Sequence, residues 1–295
     1  MSFNDNVQLD PSQVQDRRGM GRGVKVGGGI GGGLILLIAA LLGVNPQLLE
    51  GLAGAGQAPP GQEQGTAPAC STGADADQRV DCRITGTVNS LNEFWPEYLA
   101  QYNVKYPQPE TVIFTGGTNT GCGSATSAVG PFYCPADTTA YFDPDFFQEL
   151  VNRFGSSGGP LAQEYVVAHE FGHHVQNVLG DINRAQQDPQ GPESGAVRVE
   201  LQADCYAGLW AKHATTVPDP STGQPFLEPL TQQDLNDALS AASAVGDDRI
   251  QESTTGQVNP EAWTHGSSEQ RQRWFSRGYE SGDIRQCDTF AARTL

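Results

Sequence analysis

Residues 160–180 constrain the fold of this chain more than any other part of its sequence. Their apolar side chains recur at helical spacing, and the stretch begins with proline and ends with glycine, residues that favour the first turn and the end of a helix. The sequence therefore predicts a largely buried α-helix. His169 and His173 lie four residues apart on it, one turn from each other on the same face.

Two imidazoles at this spacing can both reach one metal ion at about 2.0–2.1 Å, the coordination distance of zinc. Glu170 follows the first histidine. Its carboxylate falls beside the ion, where it can take a proton from a metal-bound water. A pattern of three fixed residues also occurs by chance in unrelated proteins, so the interpretation as a zinc site depends largely on the predicted helix around it. The sequence favours a zinc site with His169 and His173 as ligands and Glu170 as general base.

A catalytic zinc site needs a third protein ligand and an open coordination position. A metzincin would have a glycine at position 176 and a histidine at 179, but this chain has Gln176 and Leu179. A second apolar helix is predicted over 197–210, and Glu200 and Asp204 share a face of it. Glu200 is the natural third ligand, and Asp204 can fix the tautomer of a ligand histidine. The alternative is an exposed acidic face.

A third helix is predicted from Ser267, which forms a capping-box pattern with Gln270. His265 stands in the loop ahead of it, where it could donate a hydrogen bond to the oxyanion of a tetrahedral intermediate. A structural role fits this histidine equally well. Arg271 could pair with a carboxylate near the site or lie on the surface, and the sequence does not decide between them.

Three smaller features complete the candidate site. His174 points away from the ligand face and His213 ends the second helix, so both are expected to be structural. The segment 130–143 is rich in β-branched and aromatic residues, among them Tyr133 and Tyr141, which favours a short strand. An edge strand beside a zinc helix could hold an extended peptide by β-augmentation.

The six cysteines favour disulfides in an exported domain, because an even count there is more often structural than catalytic. Fifteen pairings are possible for six cysteines, and sequential pairing is the simplest because short loops close readily. The cysteines, in chain order, are Cys70, Cys82, Cys122, Cys134, Cys205 and Cys287. One alternative stays open, in which Cys122 or Cys205 is the third ligand of a different zinc hydrolase.

The uncharged stretch 26–44 sets the predicted domain layout. It has 19 residues, close to the roughly 20 that span a bilayer. We expect a cytoplasmic basic tail (1–25), a transmembrane helix (26–44), a flexible linker (45–79) and a globular domain (80–295) outside the cell membrane. A cleaved signal peptide, with a small-residue site at 53–55, and a buried glycine-rich helix are the alternatives.

Composition excludes one class of function. With 34 acidic and 17 basic residues the net charge is −17, whereas nucleic-acid binding needs clustered lysine and arginine. The chain has 36 glycines and 19 prolines without a period, so collagen is excluded and these residues are expected in loops and linkers.

The chain resembles the bacterial family of predicted neutral zinc metallopeptidases, single-pass membrane proteins with a zincin-like outer domain. The matching segments are 16–19, 130–135, 169–174, 200–204 and 264–268, with Gln270 and Arg271. The resemblance implies a gluzincin-type site in which His169, His173 and Glu200 hold zinc and Glu170 is the base. It implies little about the substrate.

These observations together predict an α+β fold, helix-rich with a small sheet, preceded by a single transmembrane helix. The expected function is a zinc-dependent peptidase that hydrolyses peptide bonds of a peptide or protein substrate outside the membrane. Its cofactor is Zn²⁺, and Glu170 activates the zinc-bound water. Two other functions are weighed beside it: a non-catalytic, membrane-anchored zincin-fold binding module, and the zinc hydrolase with a cysteine ligand. Neither the substrate nor the oligomeric state is indicated.

Overall fold

The computed structural model describes residues 2–19 and 68–295. The predicted transmembrane helix at 26–44 and the first part of the predicted linker lie outside the described residues. Within the described part of the chain, no helix combines the length and the apolar character needed to cross a bilayer.

The body of the described chain consists of α-helices. They are α1 (Gly73–Gln78), α2 (Val80–Ala100), α3 (Asp145–Asn152), α4 (Pro160–Leu179), α5 (Gly195–Ala214), α6 (Gln232–Ala244), α7 (Asp247–Thr255) and α8 (Ser268–Ser281). Helix α5 packs against α4 on one side and α8 on the other, while α2 and α6 pack on α4. The helix-rich α+β class predicted from the sequence is confirmed.

A small mixed sheet lies against α4. The strands are β1 (Gln15–Asp16), β2 (Glu110–Ile113), β3 (Gly117–Thr120), β4 (Gly123–Thr126), β5 (Phe132–Cys134) and β6 (Thr139–Phe142). The order in the sheet is β1-β2-β6-β5, with the first two pairings parallel and β5 antiparallel at one edge, while β3 and β4 form a separate hairpin. The strand predicted within 130–143 is confirmed as β5 and β6, and β5 contacts α4.

The predicted helix boundaries agree with the local chemistry. Pro160 occupies the first turn of α4, and Gly180 ends the helix in the left-handed conformation with φ of 87°, which glycine adopts without a steric penalty. Helix α8 begins with the capping box of Ser267 and Gln270. Ser194 caps α5 by accepting a hydrogen bond from the N–H of Val197. Each cap satisfies a main-chain group that the helix end leaves free.

Glycines let the central helices α4, α5 and α8 touch backbone to backbone. A Cβ atom on Gly208 of α5 would lie 2.0 Å from the carbonyl oxygen of Phe275, and one on Gly278 of α8 would lie 1.9 Å from that of Cys205. A Cβ atom on Gly172 of α4 would lie 3.0 Å from the Cα atom of Ala203 on α5. Any side chain at these positions would separate the helices, so the glycines fix the spacing on which the site depends.

All six cysteines are paired in sequence order, as predicted. The disulfides are Cys70–Cys82, Cys122–Cys134 and Cys205–Cys287. The last closes 82 residues and ties α5 to the turn after α8. The alternative of a cysteine zinc ligand is contradicted, because Cys122 and Cys205 are both held in disulfides.

Residues 2–19, here called the N-terminal segment, belong to the globular unit. Phe3, Val7, Leu9 and Val14 are buried in the main core, and burying each such side chain contributes about 1.5–3 kcal/mol to the free energy of unfolding. Residues 68–79 also belong to it, since Cys70 and Ala76 are buried. The predicted boundary at residue 80 is corrected accordingly. These short segments carry no periodic apolar pattern, so their burial depends on distant partners.

Candidate metal centre

Helices α4 and α5 bring three potential metal ligands together. Nε2 of His169 lies 3.2 Å from Oε2 of Glu200, and Nε2 of His173 lies 3.5 Å from Oε1 of the same carboxylate. One ligand atom from each residue falls within 4.8 Å of the other two. His169, His173 and Glu200 are 7%, 2% and 4% exposed, so the group is almost closed to solvent.

Hydrogen bonds to the far nitrogen orient both histidines. Nδ1–H of His169 donates to Oδ1 of Asp204 at 2.9 Å, and Nδ1–H of His173 donates to Oε1 of Gln176 at 2.8 Å. The amide of Gln176 is held in this orientation because its nitrogen donates to the carbonyl of Val199 at 2.6 Å. Both Nε2 atoms are therefore turned toward Glu200, which makes them the nitrogens available to a metal ion.

This donor set fits a zinc ion. Two imidazoles and one carboxylate are the protein ligands of many catalytic zinc sites, which leave the fourth position open. Partners on the non-ligating nitrogens are also the usual second layer of such sites, because they fix the tautomer and the ring orientation. The sequence predicted His169, His173 and Glu200 as ligands and Asp204 as the partner of a histidine, and the structure places all four accordingly.

A buried guanidinium supports the carboxylate of Asp204. Nε of Arg271 donates to Oδ2 of Asp204 at 2.8 Å, and its Nη2 donates to Oδ1 at 2.9 Å. The hydroxyl of Tyr165 donates to the same Oδ1 at 2.5 Å. Arg271 and Asp204 are 3% and 0% exposed. The structure thus decides the question that the sequence left open, since Arg271 pairs with a carboxylate of the site.

The charges in the site move the pKa values in opposite directions. Burial lowers the pKa of His173 to about 4. Burial also disfavours the charged form of His169, but Asp204 and Glu200 outweigh it and raise that pKa to about 9. Burial would raise the pKa of Glu200, but the nearby histidines hold it well below its usual range. The carboxylate therefore stays ionised, as a metal ligand must.

Glu170 lies on α4 beside the ligands, and it is 7% exposed. Burial raises the pKa of its carboxyl group to about 7, although the charge of His169 and the main-chain N–H of Tyr133 on β5 both act to lower it. A carboxyl group with a pKa near neutrality can both accept and release a proton at the pH of the cell.

His265 is held in place by Asp247. Its Nδ1–H donates to Oδ1 of Asp247 at 3.1 Å, and Oδ2 of that carboxylate accepts three main-chain N–H groups, from Thr264, His265 and Gly266. Burial lowers the pKa of His265, but the charge of Asp247 and, more weakly, that of Glu200 outweigh it and raise the pKa. These charges therefore favour the protonated form of the histidine.

The two remaining histidines bind main-chain groups. Nε2–H of His174 donates to the carbonyl of Pro107 at 2.6 Å, and the hydroxyl of Tyr133 donates to its Nδ1 at 2.9 Å. Nε2–H of His213 donates to the carbonyl of Gly282 at 3.1 Å. Both contacts agree with the structural role expected from the sequence.

Sequence reasoning missed three residues of the site: Tyr165, Gln176 and Asp247. Tyr165 and Gln176 lie on α4 at i−4 from His169 and i+3 from His173, so helical spacing alone could have identified them. Asp247 lies on α7, 18 residues before His265, and no local pattern joins the two.

The chain is similar to several known proteins. A family model described as "Putative neutral zinc metallopeptidase" matches residues 3–290. The protein Rv2575 of Mycobacterium tuberculosis is 60% identical over 226 residues, covering 77% of this chain and 76% of its own. YpfJ of Escherichia coli K12 is 39% identical over 293 residues, covering 95% of this chain and 96% of its own. No solved structure matches significantly. The chain therefore belongs to the neutral zinc metallopeptidase family.

Proposed function

We propose that this protein is a zinc-dependent peptidase that hydrolyses peptide bonds. The proposal rests on one observation above all. Glu170, with its pKa raised to about 7, stands on the same helix as His169 and His173, directly beside the donor set that they complete with Glu200. Membership of the metallopeptidase family supports the same conclusion.

Zinc bound by His169, His173 and Glu200 would supply Lewis acidity, which acidifies water and polarises a carbonyl group. Glu170 is the proton carrier. Its ionised carboxylate accepts a proton from the attacking water at one oxygen, and it then delivers that proton to the nitrogen of the leaving amine. The charge of His169 and, more weakly, the main-chain N–H of Tyr133 favour the ionised form of Glu170 despite its burial, so the base form is available near neutral pH.

The raised pKa of His265 favours its protonated form, in which both ring nitrogens are hydrogen-bond donors. Its Nδ1–H is taken by Asp247, so Nε2–H is the group left to donate. A donor of this kind stabilises the oxygen that becomes negative when water adds to a peptide carbonyl. His265 therefore acts on the transition state, whereas Glu170 acts on the proton.

The edge strand β5 is the proposed binding site for the substrate backbone. It is the last strand of the sheet and contacts α4, and its Tyr133 N–H already acts on Glu170. An extended peptide that pairs with an edge strand gains main-chain hydrogen bonds without a demand on its sequence. Peptides and proteins in extended conformation are the substrate class that this arrangement suits.

The three disulfides favour a place for the catalytic domain outside the cytoplasm, since disulfides persist in oxidising compartments. We propose the outer face of the cell membrane or the space beyond it. The acidic charge, −17 for the whole chain, suits a soluble domain facing this space.

The test is digestion of a diverse peptide mixture by the purified full chain, read by mass spectrometry, with zinc content measured in the same samples. Glu170→Gln is the decisive variant, because it keeps the shape of the side chain and removes the base. We expect wild type to cleave, and Glu170→Gln to bind one zinc but lose about 10²–10⁴-fold in turnover. Glu149→Gln, an exposed glutamate on α3, is the matched control with normal activity.

A binding module is the second candidate, and the same experiment separates it. One bound zinc without cleavage of any peptide by wild type would contradict the peptidase and favour the module. Loss of zinc from Glu170→Gln would instead show that this residue is a ligand or a structural support.

A further inference from the structure

We infer that the N-terminal segment, residues 2–19, lies on the same side of the membrane as residues 68–295 and is a fixed part of the catalytic domain. This inference is independent of the proposed activity. It differs from the expectation drawn from the sequence, in which a basic cytoplasmic tail is separated from the domain by one membrane crossing.

The apolar side chains of the segment are buried as deeply as those of the core. Phe3, Val7 and Val14 are 1%, 0% and 1% exposed, and they belong to the same apolar cluster as the central helices. Strand β1 extends the sheet by pairing with β2 in parallel, and Arg17 continues the pairing by donating its N–H to the carbonyl of Ile113. The segment therefore adds to both the core and the sheet.

Two glycines on the surface beneath the segment allow it to approach closely. A Cβ atom on Gly73 would lie 1.9 Å from the carbonyl oxygen of Asn4, and one on Gly86 would lie 2.7 Å from the ring of Phe3. Neither glycine has a positive φ angle, so main-chain conformation does not require glycine at these positions. The close approach of the N-terminal segment is what requires glycine at these two positions.

Polar groups of the domain also find their partners in the segment. The side chain of Asn89, 2% exposed, accepts the N–H of Asp10 at 2.8 Å and donates to its carbonyl at 3.0 Å. The hydroxyl of Ser2 donates to the fully buried carboxyl group of Glu164 on α4. Arg18 forms an ion pair with Asp81 at 2.7 Å. These reciprocal contacts indicate that the segment and the domain fold together.

A chain that crossed a membrane once between Gly19 and Pro68 would separate the segment from this surface. The apolar residues of both would then face water on opposite sides. The contacts between the segment and the domain are possible only if the two parts share one compartment, so we assign both to the same side.

A designed disulfide tests the docking in living cells. Gln8 and Thr72 form an antiparallel bridge, flanked by hydrogen bonds from Leu9 N–H to Ser71 and from Gly73 N–H to Val7. They are thus a non-hydrogen-bonded pair with Cα atoms about 4.5 Å apart, within the range of about 4.4–6.8 Å for disulfides. We expect full-length Gln8→Cys/Thr72→Cys to be cross-linked, so that a polyethylene-glycol maleimide adds to neither thiol.

The single variants Gln8→Cys and Thr72→Cys are the controls, and each should take up one maleimide. Two reactive thiols in the double variant, with the native disulfides intact, would overturn the inference. All variants are trapped in cells before lysis, because mixing of the compartments would allow the cross-link to form afterwards.

Labelling with a membrane-impermeant maleimide tests the topology directly. Asn6→Cys and Gln190→Cys place one thiol on an exposed position of the segment and of the domain. We expect the same result for both in intact cells. Labelling of both thiols would support the shared compartment and also the proposed outward-facing domain. Protection of both thiols would support the shared compartment but refute the outward-facing location. Labelling of Gln190→Cys alone would overturn the inference.

Discussion

Arg271 on α8 binds Asp204 on α5 through two hydrogen bonds, Nε to Oδ2 at 2.8 Å and Nη2 to Oδ1 at 2.9 Å. Burial acts to raise the pKa of Asp204, but the charges of Arg271 and His169 outweigh it and lower the pKa to about 2. The carboxylate is therefore ionised at any physiological pH, and its hydrogen bond to Nδ1 turns Nε2 of His169 toward Glu200.

Asp204→Asn should weaken zinc binding about 10–100-fold, the range found when the partner of a ligand histidine is changed. The amide keeps the size of the side chain but loses the charge that both His169 and Arg271 require. The measurement is zinc affinity by competition with a chelator. Tyr165→Phe removes one hydrogen bond to the same oxygen and serves as a milder comparison. Unchanged affinity in Asp204→Asn would show that the contact does not orient the ligand.

His265→Asn should lower kcat by about 10²–10³-fold, as expected for the loss of one donor to a developing oxyanion. His265 is not placed among the metal ligands, so zinc content and the thermal unfolding temperature should stay close to those of wild type. Steady-state kinetics on one cleaved peptide, with zinc measured on the same preparation, checks both parts. A variant with normal kcat would assign His265 to structure alone.

Gly208→Ala should destabilise the protein strongly, at or above the roughly 1–3 kcal/mol typical of overpacked cores. The added Cβ atom would lie 2.0 Å from the carbonyl oxygen of Phe275, and main-chain atoms cannot move aside as a side chain can. Urea unfolding provides the measurement. Gly223→Ala is an informative comparison, because that glycine has φ of 71° and open space around it, so its cost comes from backbone strain alone. Equal effects would refute the close helix contact.

Glu164 predicts a pH dependence of stability. Burial raises the pKa of its carboxyl group from 4.5 to about 7 in the folded protein, although the hydroxyl of Ser2 and the charge of Arg83 act to lower it. The folded state thus holds the proton more tightly than the unfolded state. The resulting stabilisation is complete below pH 4.5 and is lost as the pH rises through 7, a change of about 3 kcal/mol.

Glu164→Gln removes this titration. Relative to wild type, the unfolding free energy of the variant should therefore rise by up to about 3 kcal/mol as the pH is raised from 4.5 to 8. Urea unfolding at several pH values gives the difference between the two proteins. Glu261→Gln, at an exposed position, controls for the loss of one negative charge. The raised pKa would be contradicted if the difference in unfolding free energy between wild type and Glu164→Gln were the same at both ends of the pH range.

The ligand helices were predictable because their signals are local. His169 and His173 are one helical turn apart, as are Glu200 and Asp204, and the caps at Gly180 and Ser267 are encoded within a few residues of each helix end. Spacing alone therefore predicted which side chains share a face. The disulfide pairing followed from the short loops between neighbouring cysteines.

The rest depends on distant parts of the chain. Asp247 meets His265 only because α7 packs beside the loop before α8. The burial of Phe3 and Val7 depends on residues about 70 to 220 positions further along, such as Gly73 and Leu227. An 18-residue segment with four scattered apolar residues resembles a polar tail until its partners are known.

The position of α8 in the chain has a consequence for synthesis. Arg271 and Cys287 are made after α5, yet Arg271 neutralises Asp204 and Cys287 fastens the helix that carries Glu200. A nascent chain that stops before α8 holds both carboxylates without their counterion. The charge balance of the site is therefore complete only once α8 has been made and has docked against α5.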